Sequence, residues 1–184
     1  MAKIIIGLTG PIASGKGTVK KYIVEKYMAK DCRFSTILRD ILNRVDMPIC
    51  RENLQKISTA LRQTFGEDLL AKAITKDAEN LDSDVVVIDG VRRMTDIGHL
   101  IKLDHFVLVS IDAKPEARYE RLVLRNENED DKSKTFQGFL DDHKIETELT
   151  IPEVMTYAKE KINNNGSMED LHKQIDEIIK KYTK

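Results

Sequence analysis

The chain has 184 residues, of which 41% are apolar and 33% charged, and its 30 basic and 31 acidic side chains leave a formal net charge of −1. That length accommodates one domain with a full hydrophobic core, and that composition excludes a disordered chain. Near-neutrality provides no bulk attraction to nucleic acid or to a membrane surface, so neither is expected as a partner, and any bound anion must be held by local positive charge.

Ile4, Ile5, Ile6 and Leu8 form a short β-branched run that reads as a strand buried on both faces. It begins so close to Met1 that no secretory leader is expected. No stretch is apolar for long enough to span a bilayer, and Cys32 and Cys50 lack metal-site spacing, so a cytoplasmic protein with reduced thiols is expected. A turn follows, then a helix over about 15–28 with Val19, Tyr22, Ile23 and Tyr27 on its apolar face. A weak strand near Cys32–Ser35 precedes a helix through Ile37, Leu38, Ile41 and Leu42, which Met47-Pro48 ends.

A longer helical region runs from about Glu52 to Asn80, with Leu54, Ile57, Leu61, Leu69, Leu70 and Ile74 inward and an interruption at Gly66. Asp84–Ile88 is the clearest buried strand, and Phe106–Val109 with Ile111 is another. Helix begins again near Pro115, a good first-turn residue. The polar, acidic stretch Asn126–Lys134 interrupts it, and helix resumes from about Phe136. A short strand is expected around Lys161–Asn163, then a turn at Asn163–Gly166. Ser167 reads as the N-cap of a final amphipathic helix holding Leu171, Ile175, Ile178 and Ile179. This alternation predicts a three-layer α/β/α fold around a five-stranded parallel sheet, with ligands at the carboxyl ends of the strands.

Between the first strand and the first helix lies Gly10-Pro-Ile-Ala-Ser-Gly15-Lys16-Gly17-Thr18, a GxxxxGK pattern in the context that gives it a mechanism. A phosphate chain needs several donors at once. Glycines let backbone N–H groups turn inward, the helix N-terminus adds partial positive charge, and Lys16 offers a mobile ammonium to β- and γ-phosphates. Gly10, Ala13, Ser14, Gly15, Lys16, Gly17 and Thr18 are therefore the candidate phosphate binders, with ATP and Mg²⁺ as the expected cofactors. The strict pattern places Ser or Thr directly after the Lys as a metal ligand. Here that position is Gly17, and the hydroxyl comes one residue later, at Thr18.

The apolar run Val85–Ile88 ends in Asp89-Gly90, which either presents a carboxylate to a metal at the sheet edge or simply turns the chain. A single Asp with several waters suits Mg²⁺, so Asp89 and Thr18 are the candidate metal contacts, made chiefly through water. Positive charge for a transferred phosphoryl group would come from arginines, whose planar fork grips phosphate. Arg39, Arg62 and Arg92 stand where the fold would use such arginines, although Arg39 and Arg62 read equally as solvated charges. Arg121 and Arg125 lie one turn apart on one helix. Arg118 on the same helix reads as a surface or supporting residue, and residues 126–134 read either as a short lid or as a solvated loop without zinc ligands.

These motifs resemble the P-loop nucleoside-monophosphate kinase superfamily over nearly the whole chain. Ile6-Gly-Leu-Thr-Gly10 and Asn164-Asn-Gly-Ser167 look like dephospho-CoA kinases, and Gly15-Lys-Gly-Thr18 looks like adenylate kinases. Phe34-Ser-Thr-Ile-Leu-Arg39, Glu52-Asn-Leu54, Leu61-Arg62 with Phe65-Gly66, and Ile88-Asp-Gly-Val-Arg92 resemble archaeal adenylate-kinase-related proteins. Glu116–Arg125 is similar to the lid-entry helix of both kinases.

The resemblance implies one kinase domain over 1–184, with an acceptor-binding helical region at about 36–80 and a short lid at about 118–136. It implies Lys16, Asp89 and Arg125 as catalytic residues, and Arg121, Asn164 and Gly166 beside the adenine. Arg39, Arg62 and Arg92 would face a small nucleotide-type acceptor. Relatives often carry Asp where this chain has Thr36, and dephospho-CoA kinases use an Asp in this region as the base for a ribose hydroxyl. A monophosphate acceptor is already an anionic nucleophile and needs no base. The expected activity is therefore ATP-dependent phosphoryl transfer to a nucleotide-type acceptor. Dephospho-CoA kinase and a P-loop ATPase or switch acting on a protein partner are the alternatives.

Overall fold

The computed structural model describes residues 3–125, 134–142 and 149–183. Five strands form one sheet: β1 (Ile4–Thr9), β2 (Lys30–Arg33), β3 (Val85–Asp89), β4 (Phe106–Asp112) and β5 (Glu160–Asn163). Their order is β2-β3-β1-β4-β5, and every neighbouring pair is parallel. The helices are α1 (Lys16–Tyr27), α2 (Phe34–Arg44), α3 (Arg51–Phe65), α4 (Leu69–Asn80), α5 (Met94–Ile97), α6 (Pro115–Arg125), α7 (Phe136–Asp142), α8 (Ile151–Thr156) and α9 (Met168–Tyr182), with a 3₁₀ turn at Leu100–Lys102.

The two-residue period of the strands splits the core into two layers. Ile4, Ile6, Leu8, Val85 and Val87 meet Val19 and Ile23 of α1 and Leu171, Ile175 and Ile179 of α9. Ile5, Val86, Ile88 and Leu108 face the opposite way, onto Leu38, Leu70, Ile74 and Ile97. All six residues of β1 are buried, as its apolar run predicts. Each such Ile or Val contributes about 1.5–3 kcal/mol by leaving water. Ser167 caps α9: its Oγ accepts from Asp170 N at 3.1 Å, while Asp170 Oδ2 accepts from Ser167 N at 3.0 Å.

One boundary differs from the sequence expectation. The second strand is Lys30–Arg33 rather than Cys32–Ser35, because Phe34 turns into the core as the first residue of α2. The long helical region is interrupted at Gly66 as expected, where a φ of 106° ends α3. Among the described residues no helix is long and apolar enough to cross a membrane.

This topology positions the site. β1 and β3 are neighbours, with Gly7 in register with Ile88. Asp89 therefore leaves the sheet edge beside the root of the Gly10–Thr18 loop. Both connections emerge at the carboxyl ends of their strands, where open α/β sheets bind ligands.

Candidate functional site

The Gly10–Thr18 loop is a tight cradle. Gly10 has φ 148°, Ala13 58° and Gly15 104°. A Cβ on Gly10 would lie 2.2 Å from the Ile111 carbonyl oxygen, and one on Gly15 would lie 2.1 Å from Asn164 Nδ2. Conformation and space both require glycine at these two positions. The first turn of α1 follows at once, so the N-terminus of that helix opens at the same place. Lys16 Nζ sits at the mouth of the loop and donates to the carbonyls of Gly10 at 2.5 Å and Pro11 at 2.8 Å. Ser14 Oγ is buried and has no hydrogen-bond partner among the described residues. Gly17 and Thr18 are exposed on α1.

The back of the loop is clamped from outside. Asn164, buried in the turn between β5 and α9, donates Nδ2 to the Ser14 carbonyl at 2.8 Å. Its own carbonyl accepts from Arg121 Nη2 at 2.8 Å. Arg121 Nη1 is buried without a partner among the described residues. Arg118 is 6% exposed; it donates Nε to the Ala113 carbonyl at 3.0 Å and Nη1 to the Ile12 carbonyl at 3.2 Å. Its guanidinium also lies 5.4 Å from the centre of the Phe139 ring. The surface alternative for Arg118 is thereby corrected: α6 sends it inward, where the loop carbonyl and the Phe139 face receive it. Gly166 is exposed in the same turn as Asn164.

Asp89 ends β3 in a network of charges. Its Oδ2 lies 3.4 Å from Lys20 Nζ and 3.9 Å from Arg33 Nε. Asp31 Oδ2 lies 3.5 Å from the same Lys20 Nζ and 3.2 Å from the same Arg33 Nε. Lys20 is 8% exposed and stands one helical turn after Lys16. Among the described residues no cluster of three or more His, Cys, Asp or Glu side chains could hold a metal ion. One carboxylate with phosphate oxygens and water fits Mg²⁺, and the donor set here is of that kind.

The three arginines expected at the acceptor separate. Arg39 on α2 and Arg92 after β3 are both exposed. Their elements adjoin, since a Cβ on Gly90 would lie 4.0 Å from the Phe34 ring at the start of α2. Arg62 is not a solvated charge. It is 7% exposed, with Nη2 at 2.9 Å from Asp96 Oδ1 and Nη1 at 2.6 Å from the Glu67 carbonyl. Asp96 Oδ2 in turn accepts from the backbone N–H groups of Arg92 and Arg93, each at 3.0 Å. Arg62 thus holds the turn that carries Arg92. The Arg125 side chain and residues 126–133, the middle of the expected lid at about 118–136, lie outside the described residues.

Sequence reasoning missed Lys20, Asp96 and the inward course of Arg118. For Lys20 the signal was available, because i and i+4 share a helix face with Lys16. For Asp96 and Arg118 nothing in spacing distinguished them from surface charges.

A family model described as "AAA domain" matches residues 6–149. The UPF0200 protein of Thermococcus kodakarensis is 30% identical, over 97% of this chain and 100% of its own. That of Pyrococcus abyssi is 31% identical, over 97% of this chain and 96% of its own. Among solved structures, the fold is similar to shikimate kinase from Bacteroides thetaiotaomicron, with TM-score 0.63 and 14% identity over 96% of this chain and 97% of that one. It is also similar to shikimate kinase from Acinetobacter baumannii in complex with shikimate, with TM-score 0.56 and 17% identity over 97% and 94% of the two chains.

Proposed function

The chain belongs to the AAA domain family and to the UPF0200 proteins, and on that premise we propose that it is an ATP-dependent phosphotransferase acting on a small nucleotide-type acceptor. One observation carries the reading: a glycine-bounded loop between a buried strand and a helix, with Lys16 at its mouth. The kinase-type fold supports it, and so do the two structural neighbours that are kinases of a small molecule.

In this reading the loop amides from Ala13 to Thr18 receive the β- and γ-phosphates. Lys16 exchanges two neutral carbonyl acceptors for charged phosphate oxygens, which form the stronger bonds. Asp89 holds Mg²⁺ directly or through water, with the Thr18 hydroxyl as the other protein contact. When bound, Mg·ATP supplies the phosphoryl group and neutralises charge developing on it. Arg121, Asn164 and Gly166 border the adenine, and Nη1 of Arg121, without a partner among the described residues, leaves a donor for the nucleotide. Arg125 serves the phosphoryl in flight, and residues 118–136 exclude water as a lid. Arg39 and Arg92 orient the acceptor within a helical region at about 36–80, while Arg62 supports Arg92 through Asp96. A monophosphate acceptor attacks as an anion without a base.

The test is a coupled ADP-release screen across nucleoside monophosphates, deoxynucleotides, dephospho-CoA and shikimate, with Lys16→Ala alongside. One acceptor should raise ADP release well above background, and Lys16→Ala should abolish that release while melting like the wild type. Turnover in Lys16→Ala equal to wild type refutes the reading. Slow hydrolysis that no acceptor accelerates does so as well.

A further inference from the structure

Lys20 has no part in the transfer chemistry set out above, yet it is one of the most buried charges in the molecule. Its side chain is 11% exposed, and its ammonium lies between Asp89 Oδ2 at 3.4 Å and Asp31 Oδ2 at 3.5 Å. Two carboxylates from adjacent strands therefore lean on one cation beside the phosphate loop, with Arg33 Nε at their outer side. A lysine in so little water is retained only with partners that offset its desolvation.

We propose that Lys20 is a fixed cation standing between Asp89 and Asp31 in place of a resident divalent ion, so that the protein takes metal only as the metal–nucleotide complex. The inference rests on the reading of Asp89 as a metal contact. Without nucleotide, the Lys20 ammonium satisfies Asp89 and repels a divalent ion. Mg·ATP brings its own phosphate ligands, and only a water-mediated or single-oxygen contact from Asp89 is then needed. This complements the absence of a hydroxyl at Gly17, since neither feature builds a tight site for free metal. Lys20 is a positioning residue in this scheme, acting through Asp89.

The test uses Mn²⁺ as probe, with free ion read by electron paramagnetic resonance, on the full chain with and without a non-hydrolysable ATP analogue. Without nucleotide, wild type and Lys20→Arg should bind Mn²⁺ weakly. Lys20→Met, which keeps the stem and removes the charge, should bind it at least about tenfold more tightly. Lys20→Gln repeats the measurement should Lys20→Met melt early. Lys21→Met, which removes a neighbouring exposed charge, should match wild type. Mn²⁺ binding to Lys20→Met and Lys20→Gln within twofold of wild type overturns the proposal, as does tight nucleotide-free binding by wild type. Failure of wild type to bind the Mn²⁺–analogue complex is a separate result, which sinks the phosphotransferase reading itself.

Discussion

Arg62→Met separates two roles for a residue that sequence placed at the acceptor. Methionine keeps most of the stem volume and removes every donor. Asp96 then loses its 2.9 Å partner, and the Glu67 carbonyl loses its 2.6 Å donor, in surroundings where the two charged side chains are 8% and 5% exposed. Removing one member of a buried pair costs about 3–5 kcal/mol, because the remaining charge is left uncompensated. Asp96 keeps two backbone N–H bonds, from Arg92 and Arg93, which favours the lower end, about 3 kcal/mol. For a chain of this size each kcal/mol lowers the melting temperature by about 2–4 °C, so a drop of about 6–12 °C is expected. Arg62→Met with Asp96→Asn should recover part of that loss, since a neutral amide oxygen still accepts from the turn and no buried charge remains. Calorimetry gives the melting temperatures, and steady-state kinetics gives the acceptor KM. A variant that melts like wild type but raises the acceptor KM tenfold would refute the supporting role and make Arg62 a direct ligand.

A hydroxyl at the position after Lys16 meets no obstacle, because nothing lies within 4 Å of a Cβ on Gly17. Gly17→Ser should raise stability by about 0.5 kcal/mol through helix propensity and tighten the Mn²⁺–analogue complex, and a lowered melting temperature would count against it. The two cysteines should differ in reactivity, since burial, with Asp77 and Asp31 adding to it, pushes the Cys32 thiol up to about 11, whereas Cys50 is exposed. At about pH 8, alkylation followed by mass spectrometry should label Cys50 first, and equal rates would contradict the packing around β2. Asp68 is drawn down to about 2, first by its 2.7 Å hydrogen bond with His99 and then by Lys72. Its folded value lies below the unfolded one, so its stabilisation is present above about pH 4 and is lost as pH falls toward 2. The urea midpoints of wild type and Asp68→Asn should therefore differ at about pH 6 and converge at low pH, and a constant difference would refute the pairing.

What the sequence disclosed follows the strength of its periods. The strands at Ile4 and Val85 were legible because residues buried on both faces must be continuously apolar, and the loop was legible because its glycines and Lys16 occupy fixed offsets. β2 was displaced by two residues because Lys30–Arg33 is a polar edge strand, where packing on one side leaves little pattern. The short helices α5 and α8 are under two turns, too brief for a 3.6-residue repeat to register. Charged residues were the least legible class. Arg62, Arg118 and Lys20 look like surface charges in a list of residues, and only their partners across the fold, Asp96, Ile12 and Asp89, show that they are buried.

One of those buried charges, Arg118, restrains the loop. Ala13 at φ 58° is a non-glycine residue in a left-handed conformation, a state that costs about 1–3 kcal/mol and persists only when its surroundings over-determine it. Within the loop the Ser14 N–H donates to the Pro11 carbonyl at 3.2 Å. Further restraint comes from behind: Arg118 on the Ile12 carbonyl and Asn164 on the Ser14 carbonyl grip the chain on either side of Ala13. A hydrogen bond from a charged donor contributes about 1.5–3 kcal/mol, enough with Asn164 to offset the strain. Contacts within the fold therefore hold the cradle, so that under the proposed function a phosphate need not spend binding energy on ordering it. Because Arg118 and Arg121 both project from α6, the helix that borders the proposed adenine site also holds the Gly10–Thr18 loop, and under the proposed function one element would contact both ends of a nucleotide.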